Sequence, residues 1–169
     1  LLDDLVNREE FLVYLRARLK QDKFHYAQFT SPGVEQIAIK NAGFQILEGK
    51  TYIVNVGNNP DEVLSNYSKS TRKHVRRAIN NGLKVEFTRK KSFIDIYYKQ
   101  LCQVFEKSNM RPTYPKAKVE ALWDYLMPSG KLLATQVSYN NTIIATRLDF
   151  FDGAYMHSFG SASEQNYLH

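Results

Sequence analysis

The sequence predicts an α+β fold, a mostly antiparallel sheet flanked by helices. Three observations carry this. Residues 92–107 and 116–127 are two helix-periodic segments separated by a loop with two prolines. Residues 132–139, 142–150 and 154–159 are three strand-like segments joined by tight-turn chemistry at Asn140-Asn141 and Asp152-Gly153. A further strand, residues 83–88, precedes the helices, and a strand, two helices and a meander make a layer of helices on one antiparallel sheet.

Taken in order, residues 2–19 form an amphipathic helix, with Leu5, Phe11, Leu12, Leu15 and Leu19 near one face. Residues 23–29 read as a strand because their aromatic side chains suit a pleated surface. Ser31 caps the next helix with Pro32 at its first position, and the helix runs over 34–42 until Gly43 ends it. Residues 44–47 and 51–56 read as strands joined by Glu48-Gly49-Lys50 in a hairpin. Asn59-Pro60-Asp61-Glu62 starts a short helix, with acids in the first turn where the dipole favours them. Residues 92–107 bury Phe93, Ile96, Tyr97, Leu101, Val104 and Phe105 on one face. Residues 116–127 turn Val119, Leu122, Trp123 and Leu126 inward, and Pro128-Ser129-Gly130 breaks that helix.

Residues 68–84 hold the chain's excess charge. They carry Lys69, Arg72, Lys73, Arg76, Arg77 and Lys84 and no acid, while the remaining 17 basic residues match the 17 acids. The spacing predicts a helix capped by Ser68 or Ser70 and ended at Asn80-Asn81-Gly82. At about 100° per residue, Thr71, Val75, Ala78 and Ile79 share one arc and the five helical cations the other. Such a face is either solvated or a phosphate contact, because guanidinium forks match phosphate oxygens.

The length of 169 residues gives one domain, 1–169. A pI near 9.3 favours acidic partners through the basic segment. The single Cys102 excludes an internal disulfide, suits a cytoplasmic location and reads as a core thiol. No apolar run approaches the ~20 residues of a membrane span. His25, His74, His157 and His169 have no metal-ligand spacing, and no phosphate-loop, dinucleotide or nucleophile-elbow motif is present. The chain starts without Met, and its sheet is expected to continue into a closing helix and strand beyond residue 169.

Two further stretches can line a site. The loop Asn109-Met110-Arg111-Pro112-Thr113-Tyr114 mixes a cation, a hydroxyl and a phenol. The last strand runs into a small-residue loop, Gly160-Ser161-Ala162-Ser163, whose backbone N–H groups can approach an anion closely.

The element order, with several residues, resembles the GNAT-like acyltransferase domain of the FemAB and exopolysaccharide-biosynthesis type. The residues are Gly43-Phe44, Thr51-Tyr52-Ile53-Val54, the segment 70–78 with Gly82, Gly130-Lys131-Leu132-Leu133-Ala134, Ile144-Ala145, and Tyr155 through Ala162. The resemblance covers residues 25–163. It implies transfer of an acyl or aminoacyl group to an amine, in cell-wall or polysaccharide biosynthesis, with acyl-CoA or aminoacyl-tRNA as donor and no metal.

Carried over by position, Ser158, Phe159, Gly160 and Ser161 bind the donor. Arg111, Thr113 and Tyr114 line the acceptor site. Arg72, Lys73, Arg76 and Arg77 meet phosphates of a nucleotide-linked or lipid-linked acceptor, or of tRNA. Tyr155, His157 and Glu164 are the acid and base candidates. The pyrophosphate loop of ordinary acetyltransferases, Gln/Arg-x-x-Gly-x-Gly/Ala, is absent, which keeps both donors open. The competing readings are a non-catalytic module that binds nucleic acid or another polyanion through residues 68–82, and a degenerate domain serving assembly. A dimer that covers an open sheet edge fits any of them.

Overall fold

Chain direction in this protein is set largely at helix ends. The computed structural model describes residues 8–29, 36–50, 52–153 and 155–167. Expectations for Leu5, Ser31, Pro32, Thr51, Ala154 and His169 lie outside them. The chain divides into two compact units, 1–55 and 56–169.

The first unit holds α1 (Arg8–Gln21) and α2 (Gln36–Asn41). Among its described residues, neither the expected strand at 23–29 nor the expected hairpin of 44–47 with 51–56 forms. Lys23 adopts φ 59° and the Phe24 N–H donates to the Leu19 carbonyl at 2.9 Å, so residues 23 and 24 close α1 instead of opening a strand. Residues 24–29, 44–50 and 52–57 carry no ladder, and Tyr52, Ile53 and Val54 are exposed. An isolated two-stranded hairpin is marginal in water without a third strand or a covering helix.

The second unit starts with α3 (Pro60–Asn66), whose Asn59 side chain accepts from the Asp61 N–H at 3.0 Å. Next comes α4 (Lys69–Asn80). Its cap is Ser68, which accepts from the Thr71 N–H at 3.1 Å, and it stops where Gly82 takes φ 78°. The remaining elements are β1 (Lys84–Phe87), α5 (Phe93–Glu106), α6 (Lys116–Leu126), β2 (Leu132–Tyr139), β3 (Thr142–Phe151), β4 (Met156–Ser163) and a short 3-10 helix (Gln165–Tyr167).

The four strands form one antiparallel sheet in the order β1-β2-β3-β4. Asn140 and Asn141, at φ 48° and 61°, make the β2–β3 turn. Helices α5 and α6 supply the residues that bury the inner sheet face. Phe93 stacks on Tyr97 at 5.9 Å and on Trp123 at 5.8 Å, and Leu132, Ala134, Leu148 and Ala162 complete this core. Buried Gln100 is satisfied there. It accepts from the Thr146 hydroxyl at 2.7 Å and donates to the Ile143 carbonyl at 3.2 Å.

One expectation about β4 is corrected. The small-residue stretch Gly160-Ser161-Ala162-Ser163 is strand, not loop: it pairs with Leu148, Arg147, Thr146 and Ala145 of β3. Small side chains there suit close packing of α5 on the sheet, and Gly160 and Ala162 face it.

Candidate functional site

The site is built around an irregularity in β4. Leu148 pairs with Gly160, but Asp149 pairs with Ser158, so Phe159 is an extra residue, a β-bulge. A bulge takes one residue off the ladder and re-aims its neighbours. Strict alternation would put Phe159 and Gly160 on opposite faces. Here both lie on the inner face, Phe159 packed on the core and Gly160 under two phenols.

Those phenols are Tyr97 of α5 and Tyr114 of the loop before α6. Their hydroxyls lie 2.5 Å apart. A Cβ on Gly160 would come within 2.5 Å of the Tyr97 oxygen and 2.9 Å of the Tyr114 oxygen. Tyr114 also packs against Phe159 in a tilted pair, with centroids 4.9 Å apart, and Lys118 Nζ lies 5.7 Å from the Tyr114 ring. Tyr97 is fully buried, and its pKa is raised well above the ordinary phenol range, first by desolvation and then by the bond to Tyr114. It stays a neutral hydroxyl.

Beside the pair a cavity of about 680 Å³ opens, lined by Tyr98, Glu106, Met110, Arg111, Thr113 and Tyr114 among others. The expected acceptor residues Arg111, Thr113 and Tyr114 are therefore brought together. Helix α5 ends in a turn in which Met110 N–H donates to Phe105 O and Asn109 N–H to Glu106 O, with Asn109 at φ 51°. This left-handed cap swings residues 110–114 back over the helix. Cys102, expected in the core, is half-buried and lines the same cavity.

The donor candidates Ser158, Phe159, Gly160 and Ser161 are contiguous on β4, with Ser158 and Ser161 exposed. The acid and base candidates do not converge. His157 and Glu164 are seven residues apart along an extended segment, about 23 Å at 3.3 Å per residue. His157 is bonded to Asp152 at 2.6 Å and stacked on Phe150, Glu164 lies 3.8 Å from Lys99, and Tyr155 sits beside the β3–β4 turn. None of the three lines the cavity.

A second feature is the basic face of α4. Lys69, Arg72, Lys73, Arg76 and Arg77 line one groove with Asn80 and Asn81. Arg72 is already committed: its Nη1 donates to the carbonyls of Ser65 at 2.8 Å and Tyr67 at 2.6 Å, closing the end of α3. Among the described residues, Lys69, Lys73, Arg76 and Arg77 have no ion-pair or hydrogen-bond partner for their side chains. On the apolar arc, Val75 and Ala78 are half-buried but Ile79 is exposed, and no residue of α4 is buried.

Among the described residues, no three His, Cys, Asp or Glu side chains group to hold a metal ion, and no helix is long and apolar enough to cross a membrane. No family model matches the chain, and no curated protein matches it.

Sequence reasoning missed Tyr97, Tyr98 and Glu106. All three sit on α5, where periodicity marks Tyr97 only as an inward residue. The pairing of Tyr97 with a residue 17 positions away has no local signal.

Proposed function

We propose that the protein is an N-acyltransferase that moves an acyl or aminoacyl group from a thioester or ester donor to an amine. The bulge at Phe159, next to a phenol pair and a cavity, carries this reading. The order of strand, two helices and meander agrees with the acyltransferase family that the sequence resembles, and supports it.

The chemistry needs an oxyanion donor and proton traffic. The amine nitrogen bonds to the acyl carbon, and the carbonyl oxygen takes up negative charge. The bulge takes Phe159 off the ladder, and its backbone N–H would serve that oxygen. Collapse breaks the bond to the thiolate or ribose oxygen, which takes a proton from the Tyr114 hydroxyl. The nitrogen loses a proton to a base, and Tyr114 regains its own from solvent. Tyr97 touches no substrate and holds Tyr114 in place.

Acyl-CoA and aminoacyl-tRNA are the donors for this reaction, and both belong to the cytoplasm. The cations of α4 would meet phosphates of the donor or of a phosphorylated acceptor. A calorimetric titration of acetyl-CoA is the test, expected to give saturable one-site binding. Tyr114→Phe should retain that binding and lower the transfer rate about 10²- to 10⁴-fold. Failure of both acetyl-CoA and charged tRNA to bind the folded protein would overturn the reading.

A second reading is favoured by the unpaired cations of α4: a polyanion-binding module without catalysis. The discriminating variant is Lys73→Ala with Arg76→Ala and Arg77→Ala, which leaves the Arg72 clamp intact. A nucleic-acid module should lose most of its binding, and its log–log salt slope should shrink by about 0.7–0.9 per lost contact. Unchanged nucleic-acid binding and unchanged donor binding in this variant would make the face a solvated surface.

A further inference from the structure

The cavity beside Tyr114 holds one charge of each sign, and neither is neutralised. Glu106 is the last residue of α5 and Arg111 follows five residues later, and both line the cavity. Among the described residues neither side chain has an ion pair or a hydrogen bond. Other charges of the same unit do pair: Lys91 with Asp124, Lys116 with Asp95, and Arg147 with Asp149. A carboxylate at a helix C-terminus also faces the negative end of the helix dipole, so Glu106 gains from any cation that arrives. Lys107 follows it in the chain but does not pair with it. Met110, Pro112 and Tyr98 supply the less polar walls.

We propose that this cavity takes a zwitterionic acceptor, a free amino acid or short peptide, with its ammonium on Glu106 and its carboxylate on Arg111. An ammonium matches a lone carboxylate, and a guanidinium fork matches a carboxylate in two parallel bonds. That the amine is the reacting group rests on the acyltransferase reading; recognition of the zwitterion does not. In the reaction, Glu106 accepts the proton the ammonium must lose. The free nitrogen then forms the bond to the acyl carbon, the donor's sulfur or oxygen departs with the Tyr114 proton, and the second proton of the nitrogen passes to water.

The test is calorimetry without donor, using glycyl-leucine, N-acetylglycyl-leucine and glycyl-leucinamide. Glycyl-leucine should bind, and each blocked probe should bind about tenfold or more weakly. Glu106→Gln should weaken glycyl-leucine without weakening the N-acetyl probe. Arg111→Gln should weaken glycyl-leucine without weakening the amide. Both side chains are exposed, so both variants should fold. Equal affinity for blocked and free probes, or no binding of glycyl-leucine to the folded protein, would overturn the proposal. Loss of acetyl-CoA binding with glycyl-leucine binding intact would count against the transferase reading alone.

Discussion

Gly160 occupies a position where even a methyl group meets two oxygens. The nearer belongs to Tyr97, which is fully buried and has no room to withdraw. Gly160→Ala should therefore destabilise the fold by about 1–3 kcal/mol, the cost of overpacking. A denaturant midpoint measures it. Adding Tyr97→Phe removes the closest atom, leaves the next Tyr97 atom at 3.8 Å, and should recover part of the loss. A Gly160→Ala protein as stable as the parent would mean the phenols are free to move, and their role in positioning would fall with it. At this scale the sequence is nearly silent. Gly160 looks like one small residue among four, and Tyr97 like one of eleven tyrosines, because the contact that gives them meaning joins β4 to α5 and to the following loop.

The helices were legible where their ends carry local chemistry. Ser68, Asn59, Gly43 and Gly82 act within a few residues of themselves, so their roles could be read before any packing was known. Helix α4 rests on such signals, since none of its residues is buried, as is also true of α2 and α3. Ser68→Ala should cost about 1 kcal/mol of helix stability. The loss should appear as faster amide exchange across the first turns of α4, with the cooperative unfolding of the sheet unchanged. A shift of the global midpoint instead would show that α4 is coupled to the core. The expected strands at 23–29, 44–47 and 51–56 failed for the converse reason. Aromatic content and a turn nominate a strand, but a ladder needs a partner. Lys23 and Asn109 show the same limit at helix ends: both take left-handed conformations usually signalled by glycine.

At the scale of the molecule, the second unit is a sheet whose inner face is buried by residues of two helices, and Tyr97 lies at the centre of that layer. Its raised pKa makes the layer sensitive to alkali. The folded chain holds the phenolic proton more tightly than the unfolded chain does. The stability this provides is complete below the ordinary phenol pKa of about 10 and falls as pH rises beyond it toward the folded value. Between about pH 9 and about pH 11 the parent should lose more stability than Tyr97→Phe, which has no proton to give up. Equal losses in the two proteins would show that the phenol is not held out of solvent.

The sequence by itself determined the elements whose causes are local: the caps, the turns at Asn140-Asn141 and Asp152-Gly153, the two periodic helices and the basic arc of α4. It also brought Arg111, Thr113 and Tyr114 forward, because a loop with two prolines keeps its polar side chains close in sequence. Only the tertiary structure decided that β4 continues through Gly160, that Phe159 bulges from it, and that Glu106 and Tyr97 join the same site. It also separated His157 from Glu164, since an extended strand carries neighbours in sequence far apart in space. A bulge, a buried phenol pair and an unpaired charge are relations between elements, and periodicity within one element does not contain them.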